Sequence, residues 1–443
     1  MKRGLLILLA LLGAGGADAA HAITLDQALA QTLEKSPRIL QARSALDAAA
    51  GERIVLRSVA YPKALLGSVA GDQGGQRSRT SGDQPFIFAY GLFAQPLFHA
   101  AIPASLRRGD VTVLIAQQQL NLAAMGELHR ARLAFYRALY NRSLESSGRA
   151  QLQRLEENLA GEQTRYEAGQ GDRGSVTAAT LLTRELEPKI ESARNAYGSA
   201  VIDLAQAMGH PLGANATLPS PEGTLDFQNT SPHRENELQS ALQNRADLKL
   251  ARLLVRAGRE DQRIIAAGYY PAIGAVVGGD VIPVTGIYRN SGGSPQATDN
   301  TIANEVAAGA TYTWRVIDNG RVGGAVAEQR AVAEANELEL KKLETSVPRE
   351  LAQLQNTLEA IAARYHSLVS AAELAESNVK SVEENRAGGL ASILDLRSAE
   401  NTLLVTRRGL LSAIYEQQLA LAEWDRATGR YFQFSGDTSG KVH

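Results

Sequence analysis

The 443-residue sequence contains no cysteine. That excludes a disulfide scaffold, a zinc–thiolate site, an iron–sulfur cluster, a cysteine nucleophile and a lipid carried on an N-terminal cysteine. Aromatic residues make up only 5%, too few for a compact aromatic-rich core. Neither sign of charge is in excess. Lys and Arg number 46, Asp and Glu 47, and the formal net charge is −1. This balance argues against a nucleic-acid binder working through a general positive field, and against an acidic solvating tail. Beyond residue 22 there is no run of about 18 apolar residues, so no spanning helix is expected. A membrane role would then require a β-barrel.

Enzyme signatures are missing too. The histidines are His21, His99, His129, His210, His233, His366 and His443, and none forms His-x-His or His-Glu-x-x-His. There is no Gly-x-Ser-x-Gly elbow and no Gly-x-x-x-x-Gly-Lys-Ser/Thr loop. We expect no catalytic residue, metal ligand or cofactor. Gly278-Gly279-Asp280 falls in a strand-like window, where glycine serves packing better than nucleotide binding.

What is present begins with an export signal. Lys2 and Arg3 precede a short apolar run from Leu5 to Leu12, and Ala17-Asp18-Ala19 and Ala20-His21-Ala22 both offer cleavage sites. Proline placement then outlines the architecture. The stretches 104–187 and 349–443 contain none, and a helix interior tolerates proline badly. Residues 104–168 would extend about 100 Å as one helix at ~1.5 Å per residue. Leu351, Leu354, Leu358, Ile361, Tyr365 and Leu368 form an apolar stripe at spacings of three and four. The stripe fits an ordinary amphipathic helix; the length of the segments favours coiled-coil-like packing. Gly126, Gly148 and Gly161 leave room for bends.

Two windows alternate with period two instead. In residues 64–98, Phe86, Phe88, Tyr90 and Leu92 alternate with Ile87, Ala89 and Gly91, after a turn at 71–82. In residues 272–314, Val306, Ala308, Ala310, Tyr312 and Trp314 alternate with Glu305, Ala307, Gly309, Thr311 and Thr313, after a turn at 290–300. Strands of about ten residues with aromatics near their ends fit barrel hairpins; small soluble hairpins are the alternative.

The chain reads as an internal duplication. Tyr61-Pro62 lies 209 residues before Tyr270-Pro271, and Leu29, Leu33 and Ala42-Arg43 meet Leu238, Leu242 and Ala251-Arg252 at the same offset. The offset becomes 219 around the second strand, where Leu97-Phe98-His99 meets Val316-Ile317-Asp318, and Ala168-Gly169 then pairs with Ala387-Gly388; one further shift pairs Gly209 with Gly429. The changes of offset are expected in loops, where insertions are cheap. This divides the chain into a signal peptide (1–22), a first repeat (23–213), a linker (214–234), a second repeat (235–430) and a flexible tail (431–443). Two hairpins supply four strands, too few to close a barrel, and open strand edges cannot face lipid. Strands in a membrane would therefore have to be shared among copies; three copies would supply twelve.

On these residues the sequence resembles the TolC-like outer membrane factor family, also called outer membrane efflux proteins. Leu25-Asp26-Gln27-Ala28-Leu29 followed by Ser36-Pro37 resembles the family's opening, with Ser36 where the family has Asn. Arg245-Ala246-Asp247-Leu248 resembles its Arg-Pro-Asp-Leu, with Ala246 in place of proline. Tyr61-Pro62 and Tyr270-Pro271 look like its helix-to-strand junctions. Arg165-Tyr166-Glu167-Ala168-Gly169, and Ala387-Gly388 with Ile393-Leu394-Asp395-Leu396, resemble its two tip turns.

The resemblance implies a mainly α protein of long antiparallel helices forming a periplasmic tunnel. Each protomer would give four strands to a trimeric twelve-stranded transmembrane barrel in the outer membrane. It implies a homotrimer acting with a periplasmic adaptor and an inner-membrane transporter as an exit duct for efflux or type I secretion. The alternative is a periplasmic coiled-coil scaffold that forms no channel. The tip turns Tyr166, Gly169, Gly171, Gly388 and Gly389 would dock the adaptor. Phe86, Phe88, Tyr90, Tyr312 and Trp314 would belong to barrel strands in outer-membrane lipid. Asp395 would form a ring of acids at a pore gate, or only cap the following helix. Ser398 stands where the family's second acid is expected, and Arg397 and Arg386 would pair with acids nearby.

Overall fold

The computed structural model describes residues 22–73, 76–77, 80–81, 84–211, 217–230, 232–284 and 301–434. The expected signal segment up to residue 21, the second hairpin's turn at 290–300 and the tail beyond 434 lie outside them.

The first half runs β1 (Ala22–Ile23), α1 (Leu25–Lys35), α2 (Pro37–Arg57), β2 (Lys63–Gln73), β3 (Gln76–Arg77), β4 (Thr80–Ser81), β5 (Gln84–Phe98), α3 (Ile102–Glu167) and α4 (Arg173–Ala207). The second runs β6 (Ser220–Pro221), α5 (Arg234–Asn244), α6 (Ala246–Ala266), β7 (Ala272–Val284), β8 (Thr301–Thr313), α7 (Arg321–Ala387) and α8 (Ile393–Thr428). Helices α1 and α5 both have 11 residues, and α2 and α6 both have 21. A three-residue 3₁₀ turn follows each of α2 and α6. The long helices have 66 and 67 residues, and their return helices 35 and 36. Among the described residues no helix is long and apolar enough to cross a membrane.

Local chemistry sets the boundaries. Thr24 caps α1 with Gln27 in a reciprocal box: the Gln27 amide donates to the Thr24 hydroxyl at 3.4 Å, and the Thr24 amide to Gln27 Oε1 at 3.0 Å. Tyr61 and Tyr270 are extended (ψ 160° and 154°), as a residue before proline must be. Each therefore turns a 3₁₀ end into a strand. Two proline expectations are corrected. Helix α4 continues through Pro188 and α7 through Pro348. An interior proline costs about 3 kcal/mol, and packing on either side offsets it. Leu186 is buried beside Pro188, and Val347 and Leu351 flank Pro348 at 1% and 0% exposure.

The chain divides into two compact units. The first holds residues up to 41, 121–245 and 346–433. Its core is built from small residues that let helices approach closely: Ala28, Ala131, Ala134 and Ala207, with Phe135, Leu139, Leu204 and Met208 filling between them. Charged groups inside it are paired. Arg245, at the end of α5, is 7% exposed. It reaches Glu350 at 2.5 Å and the carbonyl of Ala427 at 3.2 Å. Arg426 reaches Glu350 and Glu423, both at 2.6 Å. A hydrogen bond from His129, joined by that from Arg426, holds the Glu423 carboxyl down at about 2. The buried Trp424 indole donates to Glu237 at 2.8 Å. The connecting segment is strapped to α8: Gln417 donates to the carbonyl of Gln228 and Gln418 to that of Asp226, each at 2.7 Å. Phe227 stacks on Tyr365 with centroids 3.7 Å apart.

The second unit holds residues 42–120 and 246–345. Its centre is one antiparallel sheet in the order β2-β5-β7-β8. The helix segments beside it are tied by charge. Arg107 and Arg108 of α3 reach Glu260 and Asp261 of α6 at 2.9 and 2.8 Å, and Arg57 of α2 reaches Asp110 at 2.8 Å.

Gly209 ends the α4 region with φ +71°, and a Cβ there would lie 2.3 Å from the carbonyl oxygen of Lys35. We therefore expect Gly209→Ala to destabilise the first unit by about 2 kcal/mol or more, the left-handed penalty and a backbone clash together. A thermal-unfolding midpoint equal to that of the parent chain would show that the turn relaxes freely.

Candidate functional site: two tip turns and a two-faced sheet

Helix α3 reverses into α4, and α7 into α8, through turns of the same construction. In the first, the Gly169 amide donates to Tyr166 and the Gln170 amide to Arg165, at 3.0 and 2.9 Å. In the second, Gly389 donates to Arg386 and Leu390 to Asn385, at 3.0 and 2.7 Å. These are Schellman ends, and they require a left-handed residue. Gly169 (φ +72°) and Gly389 (φ +75°) supply it. The turns therefore correspond at an offset of 220, and Gly169 matches Gly389 rather than Gly388. Of the offset changes expected in loops, the one from 219 to 220 is corrected: α7 carries its extra residue inside the continuous helix. Gly171 is needed for a different reason, since a Cβ there would sit 2.9 Å from the Tyr166 amide nitrogen. Gly388 has ordinary space around it and no unusual φ. Tyr166, Leu390 and Leu394 are exposed at these turns, Leu390 to 84%.

Each return helix starts on a polar cap. Asp172 accepts from the Gly174 amide at 3.0 Å. At the matching position Ser392 accepts from the Asp395 amide at 3.2 Å, while Asp395 Oδ2 accepts from the Ser392 amide at 2.8 Å and its hydroxyl at 2.6 Å. The bonds from Ser392 hold the Asp395 carboxyl below the usual aspartate range. Asp395 thus occupies the third position of a capping box, and the helix-cap role is present. Arg386 and Arg397 do not turn to it. Their charges act on Glu400, whose carboxyl is pushed up by burial and by Glu383 against the pull of Arg154, Arg397 and Arg386. Arg397 Nη2 is buried without a hydrogen-bond partner among the described residues. Ser398 is exposed on α8. Sequence reasoning missed Glu400. The signal available was its place three residues after Arg397, one helical turn on.

In the second unit, strand register sorts the sheet residues by face. Phe93 pairs with Ala64 on β2 and Val277 on β7, and Val277 pairs with Ala308 on β8. That face also carries Leu66, Ile87, Ala275, Val281, Val306 and Tyr312, and its polar positions are Ser68, Asp72, Gln95 and Asn304. Leu66 is 87% exposed and Val306 78%. The other face carries Phe88, Tyr90 and Leu92 with Leu65, Gly67 and Val69, and then Asp280, Glu305 and Thr311. Phe86 lies on β5 opposite Gly71. Trp314 stands just past β8, its indole donating to the carbonyl of Tyr269 at 3.2 Å. The aromatics named as barrel residues therefore fall on opposite faces: Phe88 and Tyr90 share the acidic one, Tyr312 the apolar one. Strands β2 and β8 are the open edges of the sheet.

Comparison with known proteins places this geometry. Residues 238–430 match the sequence model of the family described as outer membrane efflux protein. No curated protein matches the chain in sequence. Solved structures match it over nearly its whole length. The outer membrane protein VceC of Vibrio cholerae aligns with a TM-score of 0.74 at 18% identity, covering 91% of this chain and 96% of that one. The CmeC outer membrane channel of Campylobacter jejuni aligns with a TM-score of 0.80 at 11% identity, covering 94% and 87%. The MtrE outer membrane channel of Neisseria gonorrhoeae, solved in its open state, aligns at 0.74 and 16%, covering 91% and 88%. The second half thus resembles outer membrane efflux proteins in sequence, and the whole chain has the fold of these channels.

The two acids near the second tip turn act oppositely on stability. Asp395 has a lowered carboxyl pKa, so its stabilisation is present above the ordinary aspartate range and is lost as pH falls through its folded value. Glu400 has a raised one, so the fold loses stability as pH rises from the ordinary glutamate range through its folded value. At pH 7 we expect Ser392→Ala to destabilise by about 1 kcal/mol, Asp395→Asn to lower the melting temperature and Glu400→Gln to raise it. Melting curves between pH 3 and 8 check this; shifts of one sign for both acids would refute the assignment.

Proposed function

We propose that this chain is one protomer of a trimeric exit duct in the outer membrane. Its helices would extend into the periplasm, and its transport would be driven by a partner inner-membrane pump through a periplasmic adaptor. The observation that carries this reading is the sheet. It has four antiparallel strands, one largely apolar face and two open edges. An open edge in hydrocarbon leaves backbone groups unsatisfied at several kcal/mol each. Pairing β2 of one copy with β8 of the next removes every edge, and three copies close twelve strands, an even number suited to a small transmembrane barrel. The apolar face then meets lipid, with Tyr312 and Trp314 toward one rim. The face bearing Asp280, Glu305 and Thr311 lines water.

On this reading the chain is a passive conduit and needs no catalytic group. The cargo class is small molecules, drugs or metal ions. The two repeats, 23–213 and 235–430, each supply a hairpin and a helix pair, joined by the linker at 214–234. The exposed tip residues Tyr166, Leu390 and Leu394, held by Gly169, Gly171 and Gly389, form the surface offered to the adaptor. Asp395 caps α8 and, repeated three times around the pore axis, sets a carboxylate ring at the tip that favours cations. Replacing it with Ala should reduce cation preference in a planar bilayer.

Two experiments test the reading. Because the chain has no cysteine, Gln170→Cys creates its only thiol, at the first tip. Cross-linking in living cells should capture the adaptor of a drug or metal pump. Capture of a protein-secretion adaptor would change the cargo, and capture of soluble periplasmic proteins alone would favour a scaffold. The face assignment is tested by arginine placement. Phe93→Arg should block trimer assembly, at about 2–4 kcal/mol for a cation on the lipid face near the midplane, whereas Phe88→Arg should assemble. The reverse pattern would turn the sheet inside out.

A further inference from the structure

Resting on the duct reading above, we infer that the inner face of each protomer's sheet holds a weak retention site for organic cations that carry a flat aromatic part. The site comprises Tyr90 and Phe88 on one side and Asp280 and Glu305 on the other.

The geometry is given by register and packing. Phe88 and Tyr90 lie two residues apart on β5, share a face, and stack with ring centroids 5.6 Å apart at 28°. Gly67 is directly opposite Tyr90 on β2. A Cβ at Gly67 would lie 2.4 Å from Tyr90 Cζ, so the ring rests across bare backbone there. One ring face is supported and the other is left to the pore. On its other flank Tyr90 pairs with Asp280 of β7, which pairs in turn with Glu305 of β8. Two carboxylates directly opposed across strands repel. Among the described residues neither has an ion-pair partner. A cation beside them relieves that repulsion, and an attached ring can lie on Tyr90 and Phe88, where π-faces attract positive charge as well. An anion of the same shape meets the carboxylates, and a small cation without a ring finds only the acids. The site discriminates by combining the two features. It must also be weak, because a duct that held its cargo tightly would not conduct.

The test uses the trimer in a planar bilayer with three small probes: benzyltrimethylammonium, tetramethylammonium and benzenesulfonate. We expect the first to interrupt the single-channel current at a concentration about tenfold below the other two. Phe88→Leu/Tyr90→Leu, which keeps apolar bulk but removes the rings, should erase the advantage of benzyltrimethylammonium over tetramethylammonium. Asp280→Asn/Glu305→Gln should weaken block by both cations and leave benzenesulfonate no worse. Equal block by the two cations in the parent trimer, a measurement that requires no variant, would overturn the proposal while leaving the duct intact. An advantage that survives ring removal would also overturn it. A preparation that inserts no conducting trimer would overturn the duct reading, and this inference with it.

Discussion

The constraint on which the architecture turns is the unpaired backbone of β2 and β8. A four-stranded antiparallel sheet that ended in water could protect its edges with charge, a bulge or a covering helix. Here the edges flank a face bearing Leu66, Phe93, Val277 and Val306, too apolar to be left in water over such an area. Lipid satisfies the face but not the edges, and copies of the chain satisfy both. Closure among copies would therefore be a condition of such a sheet's existence in a membrane. Each hairpin feeds one long helix directly, β5 into α3 and β8 into α7.

Duplication makes that arrangement economical. Helices α1 and α5, and α2 and α6, keep identical lengths, and each pair ends in the same 3₁₀ turn and Tyr-Pro junction. The long helices differ by one residue, yet they end in the same three backbone hydrogen bonds. A residue gained inside a continuous helix rotates everything beyond it by about 100°, since ~3.6 residues make a turn. The glycine that accepts a left-handed φ moved with it, from 169 in one repeat to 389 in the other.

Much of this was legible in the residues. Proline-free stretches located the long helices, and period-two runs located β5 and β8. Other features were hidden for identifiable reasons. Pro188 and Pro348 looked like boundaries because a sequence shows the local cost of proline but not the packing beside Leu186, Val347 and Leu351 that offsets it. Ala387-Gly388 looked like the partner of Ala168-Gly169 because two consecutive glycines cannot be told apart until one has a positive φ. The face on which Phe88 and Tyr90 lie was not legible at all. Alternation within a hairpin separates two sets of residues, and only pairing of β5 with β7 shows that the aromatic set of the first hairpin shares a face with the acids of the second. Which nearby acid Arg386 and Arg397 would act on was not legible either. Asp395 folds back to Ser392, while the arginines sit about Glu400.

The two hairpins also show where such a duplicated chain can diverge. Their apolar faces are alike, as a common lipid surface would demand of every strand that met it. Ala89 and Phe93 of the first hairpin pair with Val281 and Val277 of the second. The opposite faces are under no such common demand. One has become aromatic around Tyr90 and Phe88, and the other acidic around Asp280 and Glu305. In a trimer the pore wall then alternates, three aromatic strips with three acidic ones, so that each strip is flanked by the other kind. A ring of identical subunits with identical repeats would give a uniform wall. In such an assembly, divergence of one face between the two halves would give the wall two chemistries side by side.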